Sequence, residues 1–272
     1  IKQKRPDLKV ALYLHNDPRD MKASRTAAER TALLRQMAAV ICVSDYIGGC
    51  FLDDLDVSDD MAAKVRTARN GVARRLTAPS TKSPMVLLVG RMVPEKGILE
   101  CAEAVARALA GHPEWEVVIV GATHFQTAPP GNYVDKVKAA LAPLGSRARM
   151  TGFLPVDEVR SLQERAAIIA CPSLWQEPMG KTAIEALAAG SALLTTRRGG
   201  IPEAAEGRAH IVDDPSVDSF ADAIGRMVSD DHYRKSLQEA AWQDFPFTDI
   251  AMARDADRIR AHAISAALAP DK

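Results

Sequence analysis

Short apolar runs and longer amphipathic stretches alternate along the chain. LKVALYL at 8–14, AVICV at 39–43, MVLLVG at 85–90, EVVIVG at 116–121, residues 167–171 and ALLTT at 192–196 are each short and bounded, and they predict strands. Amphipathic segments at 25–38, 97–111, 133–142, 157–165, 181–189, 218–229 and 248–268 predict helices, several of them ending near Gly or Pro. In the last of these, Ile250, Ala253, Ala256, Ile259 and Ala263 form the expected apolar stripe. Strands alternating with helices imply an α/β fold, a parallel sheet covered by helices.

A turn-rich break, Pro79 to Pro84, precedes the strand at 85 and predicts a domain boundary. The expected organisation is a first domain over 1–81, a second over 82–246, and a C-terminal helix over 247–272 that crosses back to the first. The second has enough strand–helix pairs for a doubly wound sheet. The first supplies two or three strands and reads as the later part of a domain, and a start at Ile1 agrees with N-terminal truncation.

Composition narrows the partners. The chain has 272 residues with 35 basic and 35 acidic side chains, so no net field draws it onto nucleic acid. Residues 1–75 carry 14 Lys or Arg against 10 Asp or Glu, an excess of +4 that the remainder cancels. That excess fits ordinary solvated faces and also allows a peripheral contact with an anionic membrane face. No apolar stretch approaches the roughly 18 residues of a membrane helix. Cys42, Cys50, Cys101 and Cys171 show neither a CxxC pair nor metal-ligand spacing, which suits a reducing, cytoplasmic setting without a metal.

Candidate chemistry centres on WQEPMGKTAIEALAAG, residues 175–190, which carries Glu177 and Glu185 across a loop-to-helix junction. If Gly180 opens the helix, the first amides, at Lys181 and Thr182, make a phosphate site. Two carboxylates at this spacing flank a diphosphate, and each accepts hydroxyl hydrogen bonds. A P-loop is ruled out, because the position of its first glycine is Trp175. In VLLVGRMVPEKG, residues 86–97, Arg91 and Lys96 follow a strand end, where open parallel sheets bind ligands. Gly152 and the pair Gly199–Gly200 supply further permissive loops. No GxGxxG follows a predicted strand, which disfavours a dinucleotide-dependent oxidoreductase.

Taken in order, VGRMVPEKG, GFLP, QEPMGKTAIEALAAG and GGIPE resemble glycosyltransferase family 4, retaining enzymes of the GT-B fold. HNDP at 15–18, VSDYI at 43–47 and RNGV at 69–72 extend the resemblance. It implies that Arg91 and Lys96 hold the donor diphosphate, that Glu177 orients the donor sugar, and that amides near Gly180, Lys181 and Thr182 meet sugar and phosphate oxygens. Glu185 would accept the ribose hydroxyls, backbone near Leu154 would read the base, and His15 would reach the transferred sugar. The implied reaction is metal-free transfer of a hexose-type sugar, in polysaccharide biosynthesis, from a nucleoside diphosphate sugar to a glycan or lipid-linked acceptor. No other cofactor is implied. The alternative is a nucleotide-sugar-binding fragment without turnover.

Overall fold

The computed structural model describes residues 8–122, 132–243 and 245–266. The chain forms two compact units. One comprises Ile1–Gly71 with Phe247–Lys272, and the other Val72–Pro246.

In the first unit three strands, β1 (Ala11–Leu14), β2 (Ala39–Cys42) and β3 (Val65–Thr67), pair in parallel in the order β1-β2-β3. Helices α1 (Ala27–Gln36), α2 (Asp45–Leu52) and α3 (Asp59–Ala62) connect them. Helix α1 starts at a capping box between Thr26 and Glu29, which satisfies two amides that the first turn leaves open. The last helix, α11 (Asp249–Ala266), packs against β2 and β3. Its buried side differs from the expected stripe. Ala256 and Ile259 pack on Ile41 and Ala68, whereas Ile250 is 76% exposed and Ala253 is also exposed. Apolar residues at helical spacing marked a face, but the fit to β2 selects one slightly rotated from it.

The second unit holds β4 (Ser83–Val89), β5 (Glu116–Val120), β6 (Ala148–Gly152), β7 (Ala166–Cys171), β8 (Ala192–Thr196) and β9 (His210–Val212) in one parallel sheet, ordered β6-β5-β4-β7-β8-β9. Helices α4 (Ile98–Ala108), α5 (Asn132–Leu141), α6 (Val156–Arg165), α7 (Lys181–Ala188), α8 (Ile201–Ala205), α9 (Val217–Ser229) and α10 (Asp231–Trp242) surround it. Register explains the core. Val117, Val86, Ile168 and Ala192 stand side by side across four strands, as do Ile119, Leu88, Ala170 and Leu194 two residues on. Both rows lie on one face, under Ile98 and Val105 of α4, Val137 of α5 and Phe220 of α9. The alternate residues Leu87, Val118, Ile169 and Leu193 are also buried, which is why these strands read as unbroken apolar runs. Each such side chain contributes about 1.5–3 kcal/mol by leaving water.

The unit boundary falls at Gly71/Val72, ten residues before the expected break at 81/82. Side chains of the intervening segment explain the shift. Arg74 donates to the Trp242 carbonyl (3.0 Å), Arg75 pairs with Glu164 (3.0 Å), and Ser80 Oγ donates to the Glu164 carbonyl (2.5 Å). Turn-forming composition marked where the chain bends, not where its contacts change sides. No helix among the described residues is long and apolar enough to cross a membrane.

Candidate functional site

In the six-stranded sheet, β4 and β7 are neighbours whose connections leave in opposite directions, β4 toward β5 and β7 toward β8. Loops at such a switch point open a crevice beyond the carboxyl ends of the strands. The β4 loop carries Arg91 and Lys96, and the β7 loop carries Ser173, Trp175, Gln176 and Glu177.

Backbone geometry locks the two loops together. Gly97 has φ +64°, and any side chain there would overlap the Pro172 carbonyl, so glycine permits the close approach. The Leu174 amide donates to the Glu95 carbonyl at 2.9 Å. As a result Lys96 Nζ reaches Glu177 Oε1 at 2.5 Å, and Ser173 Oγ donates to the same oxygen at 2.8 Å. The side chains of Lys96 and Glu177 are 21% and 13% exposed, so the pair is shielded but reachable. The Lys96 ammonium also lies 5.3 Å from the centre of the Trp175 ring. The sequence grouped Lys96 with Arg91 as a phosphate clamp. In the structure its ammonium sits on Glu177, while Arg91, half exposed, pairs loosely with Glu95 at 3.6 Å.

A third loop, after β8, fixes the main chain of Glu177. The Gly200 amide donates to the Glu177 carbonyl (2.8 Å), the Gly199 amide to Gln176 Oε1 (2.5 Å), and Thr196 Oγ1 to the Ser173 carbonyl (2.7 Å). Gly199 has φ +57°, and a Cβ there would overlap the Glu177 carbonyl. This requirement gives the expected glycine pair its structural meaning.

Gly180, at φ +72°, caps α7, and a side chain there would press on Ile201. The amides of Ala183 and Ile184 close on the Gly180 carbonyl, so those of Lys181 and Thr182 lie ahead of the first helical bonds, at the positive end of the helix dipole. Glu185 stands one turn in. Its Oε2 accepts from Gln163 Nε2 at 3.2 Å, and the exposed Lys181 ammonium stands 4.0 Å from its Oε1. Beneath both carboxylates lies Cys171, whose thiol is pushed well above its ordinary range by burial, then by the charges of Glu177 and Glu185. One buried atom thus feels both glutamates. Two buried nitrogens at these loops, Trp175 Nε1 and Arg198 Nε, have no hydrogen-bond partner among the described residues.

Leu154 is half-buried in the loop between β6 and α6. His15 follows β1 in the first unit, exposed, its ring 4.5 Å from that of Tyr13. Sequence reasoning missed Ser173, Gln163 and Gln176. Ser173 carried a usable signal, a polar residue just beyond a fully apolar strand. Gln163 carried none, since a glutamine on a charged helix reads as solvated although it is 3% exposed.

An open, Rossmann-like parallel sheet with a charged site at its switch point is the α/β architecture of GT-B proteins, and solved structures of that fold match the chain. It is similar to the crystal structure of Anabaena HepE in complex with UDP and glucose, with a TM-score of 0.75 at 18% identity over 94% of this chain and 72% of that one. A glycosyltransferase from Rickettsia africae gives a TM-score of 0.76 at 21% identity, covering 96% and 72%. The family model described as glycosyl transferases group 1 matches residues 73–244, and the chain belongs to that family. It is 27% identical over 261 residues to a putative glycosyltransferase, YtcC, of Bacillus subtilis (strain 168), covering 88% of this chain and 63% of that protein. It is 32% identical over 176 residues to a D-inositol 3-phosphate glycosyltransferase of Corynebacterium jeikeium (strain K411), covering 62% of this chain and 41% of the relative. The chain therefore spans less than two thirds of the length of these two curated relatives.

Proposed function

We propose that this chain serves the transfer of a sugar from a nucleoside diphosphate sugar to a glycan or lipid-linked acceptor, with retention of anomeric configuration and without a metal. The observation that carries the reading is the convergence, at the switch point, of the Lys96–Glu177 pair, the opening of α7 and Glu185. HepE, of the same fold, has been crystallised with UDP and glucose.

In this reading Arg91 and the amides of Lys181 and Thr182, beside Gly180, receive the diphosphate, because fixed positive groups stabilise the charge that develops on the leaving nucleotide. Lys96 shares its charge between Glu177 and the departing phosphate. Glu177, its Oε1 already accepting from Lys96 and Ser173, orients the donor sugar through its second oxygen. Glu185 takes the ribose hydroxyls and backbone near Leu154 the base, while His15 acts on the transferred sugar. The bond from anomeric carbon to phosphate oxygen breaks, the acceptor hydroxyl bonds to that carbon on the same face, and its proton passes to the departing phosphate. The orphan nitrogens of Trp175 and Arg198 are donors that sugar or phosphate oxygens would satisfy. The setting is cytoplasmic, with acceptor glycans met at the inner membrane face.

A panel of UDP and GDP sugars, followed by calorimetry and nucleotide release, tests the proposal. Binding with release that persists in EDTA supports it, and absence of binding to every donor removes it. Binding without release identifies a nucleotide-sugar-binding module instead. A covalent sugar adduct on Glu177 would overturn same-face transfer.

A further inference from the structure

The basic excess of the first 75 residues has no part in the site above, and the structure concentrates part of it. At the amino ends of β1, β2 and β3, the opposite end of that sheet from His15, lies a cleft of about 690 Å³. Lys9, Arg35, Lys64, Arg66 and Arg258 line it together with His262, and Asp60 is the one carboxylate in the described lining. These cations come from four separate places: the approach to β1, the end of α1, the start of β3, and α11. Five cations line the cleft against Asp60, with Asp255 paired to Arg258, and in a molecule whose total charge is zero this leaves a local positive excess.

The cleft is built as well as charged. Lys64 is half-buried, and its ammonium donates to the carbonyls of Leu34 and Met37, both at 3.3 Å, so this cation is held in place before any ligand arrives. Arg258 is steadied by Asp255 at 3.4 Å. Arg35, Arg66 and Lys9 are exposed and none has a carboxylate partner among the described ion pairs. Met37, Ile259 and Ala263 add apolar wall between the cations. Arginines lining a concave space suit phosphoryl oxygens, which an Arg fork binds through a parallel pair of hydrogen bonds. A concavity of this size suits a compact, multiply charged group better than a long polyanion.

We propose that this cleft is a second anion site, which binds a phosphoryl-bearing ligand through Arg66, Arg258, Arg35 and Lys9, with Lys64 as its fixed charge. The ligand is a free phosphate ester or diphosphate, or the phosphorylated headgroup of a lipid. The site is independent of the sugar-transfer reading, since none of its residues belongs to the switch-point loops.

Inorganic pyrophosphate titrated into the full chain tests the proposal. The R91A/K96A double variant serves as the background, so that the switch-point cations do not contribute. One saturable event is expected, weakened about tenfold for each guanidinium removed when R66A and R258A are added. Both arginines are exposed, and an unchanged circular dichroism spectrum and thermal unfolding midpoint in the R66A/R258A chain establish that the fold persists. Phosphatidylglycerol vesicles form the second arm. Vesicle binding that pyrophosphate competes away assigns the headgroup as ligand, and pyrophosphate binding without vesicle binding assigns a free phosphate. Absence of saturable pyrophosphate binding in the R91A/K96A background, or binding that R66A/R258A leaves unchanged, overturns the proposal.

Discussion

Glu177 and Glu185 are eight positions apart, yet the regions that carry them are built by different means. Glu177 sits in an irregular loop where three chain segments meet: Lys96 and Ser173 grip its side chain, and Gly200 holds its carbonyl. Glu185 sits on a regular helix, its position fixed by the repeat of α7, and among the described residues its polar contacts are Gln163 and the distant ammonium of Lys181. A residue held by a helix stays in place when a neighbour is removed. A residue held by converging loops depends on each of them, and the two glutamates should therefore respond differently to substitution.

The largest effect is expected at the loop. Lys96→Ala should lower nucleotide release by about 100- to 1000-fold, the usual cost of losing a preorganised charge at a developing anion. Loss of release much greater than loss of donor affinity supports that role, and an equal loss of both assigns Lys96 to ground-state binding. Gly199→Ala comes next. It forces a side chain onto the Glu177 carbonyl at φ +57°, and thermal unfolding should show destabilisation of about 1–3 kcal/mol, with reduced release. Wild-type stability would mean that the third loop does not brace Glu177.

At the helix, Glu185→Ala should weaken UDP binding by about tenfold while leaving the melting temperature close to wild type, because the charge lost is part-exposed and α7 needs no bond from it. Calorimetry paired with thermal unfolding separates the two quantities. Gln163→Leu should act in the same direction more weakly, through the orientation of Glu185, and should leave Lys96-dependent release intact.

The smallest effect links the regions through Cys171. Burial and both carboxylates raise its thiol pKa in the folded state, so the unfolded chain gives up this proton first as pH rises. The stability that this thiol contributes is full below its unfolded pKa of roughly 8.5 and is lost as pH climbs above it. Denaturant titrations between pH 7 and 10 should show the stability gap between wild type and Cys171→Ala shifting against wild type as pH rises. A gap independent of pH would mean that the thiol is not perturbed.

Much of the fold was legible because the rows of β4, β5, β7 and β8 are buried on both faces and so read as continuous apolar segments. Elements with weaker patterns were not. β3 and β9 have three residues each, the glycine pair Gly48–Gly49 obscured α2, and α10 buries only Ala241 fully. Within the site, Arg91 and Lys96 stood out as cations just beyond a strand end, and Glu177 and Glu185 by their place in the QEPMGKTAIEALAAG motif read together with the other segments. Gln163 and the bracing by Gly199 did not, since neither has a local signature.

What the sequence determined by itself was the set of elements and the ends at which charged loops would gather, since periodicity and burial are local properties read along the chain. It did not determine which partner each charge would take, which face of α11 would turn inward, or where the two units divide. Those depended on strand order and register: only when β4 lies beside β7 does Lys96 meet Glu177, across a separation of 81 residues. Contacts of that range have no imprint in local spacing, and tertiary packing alone decided them.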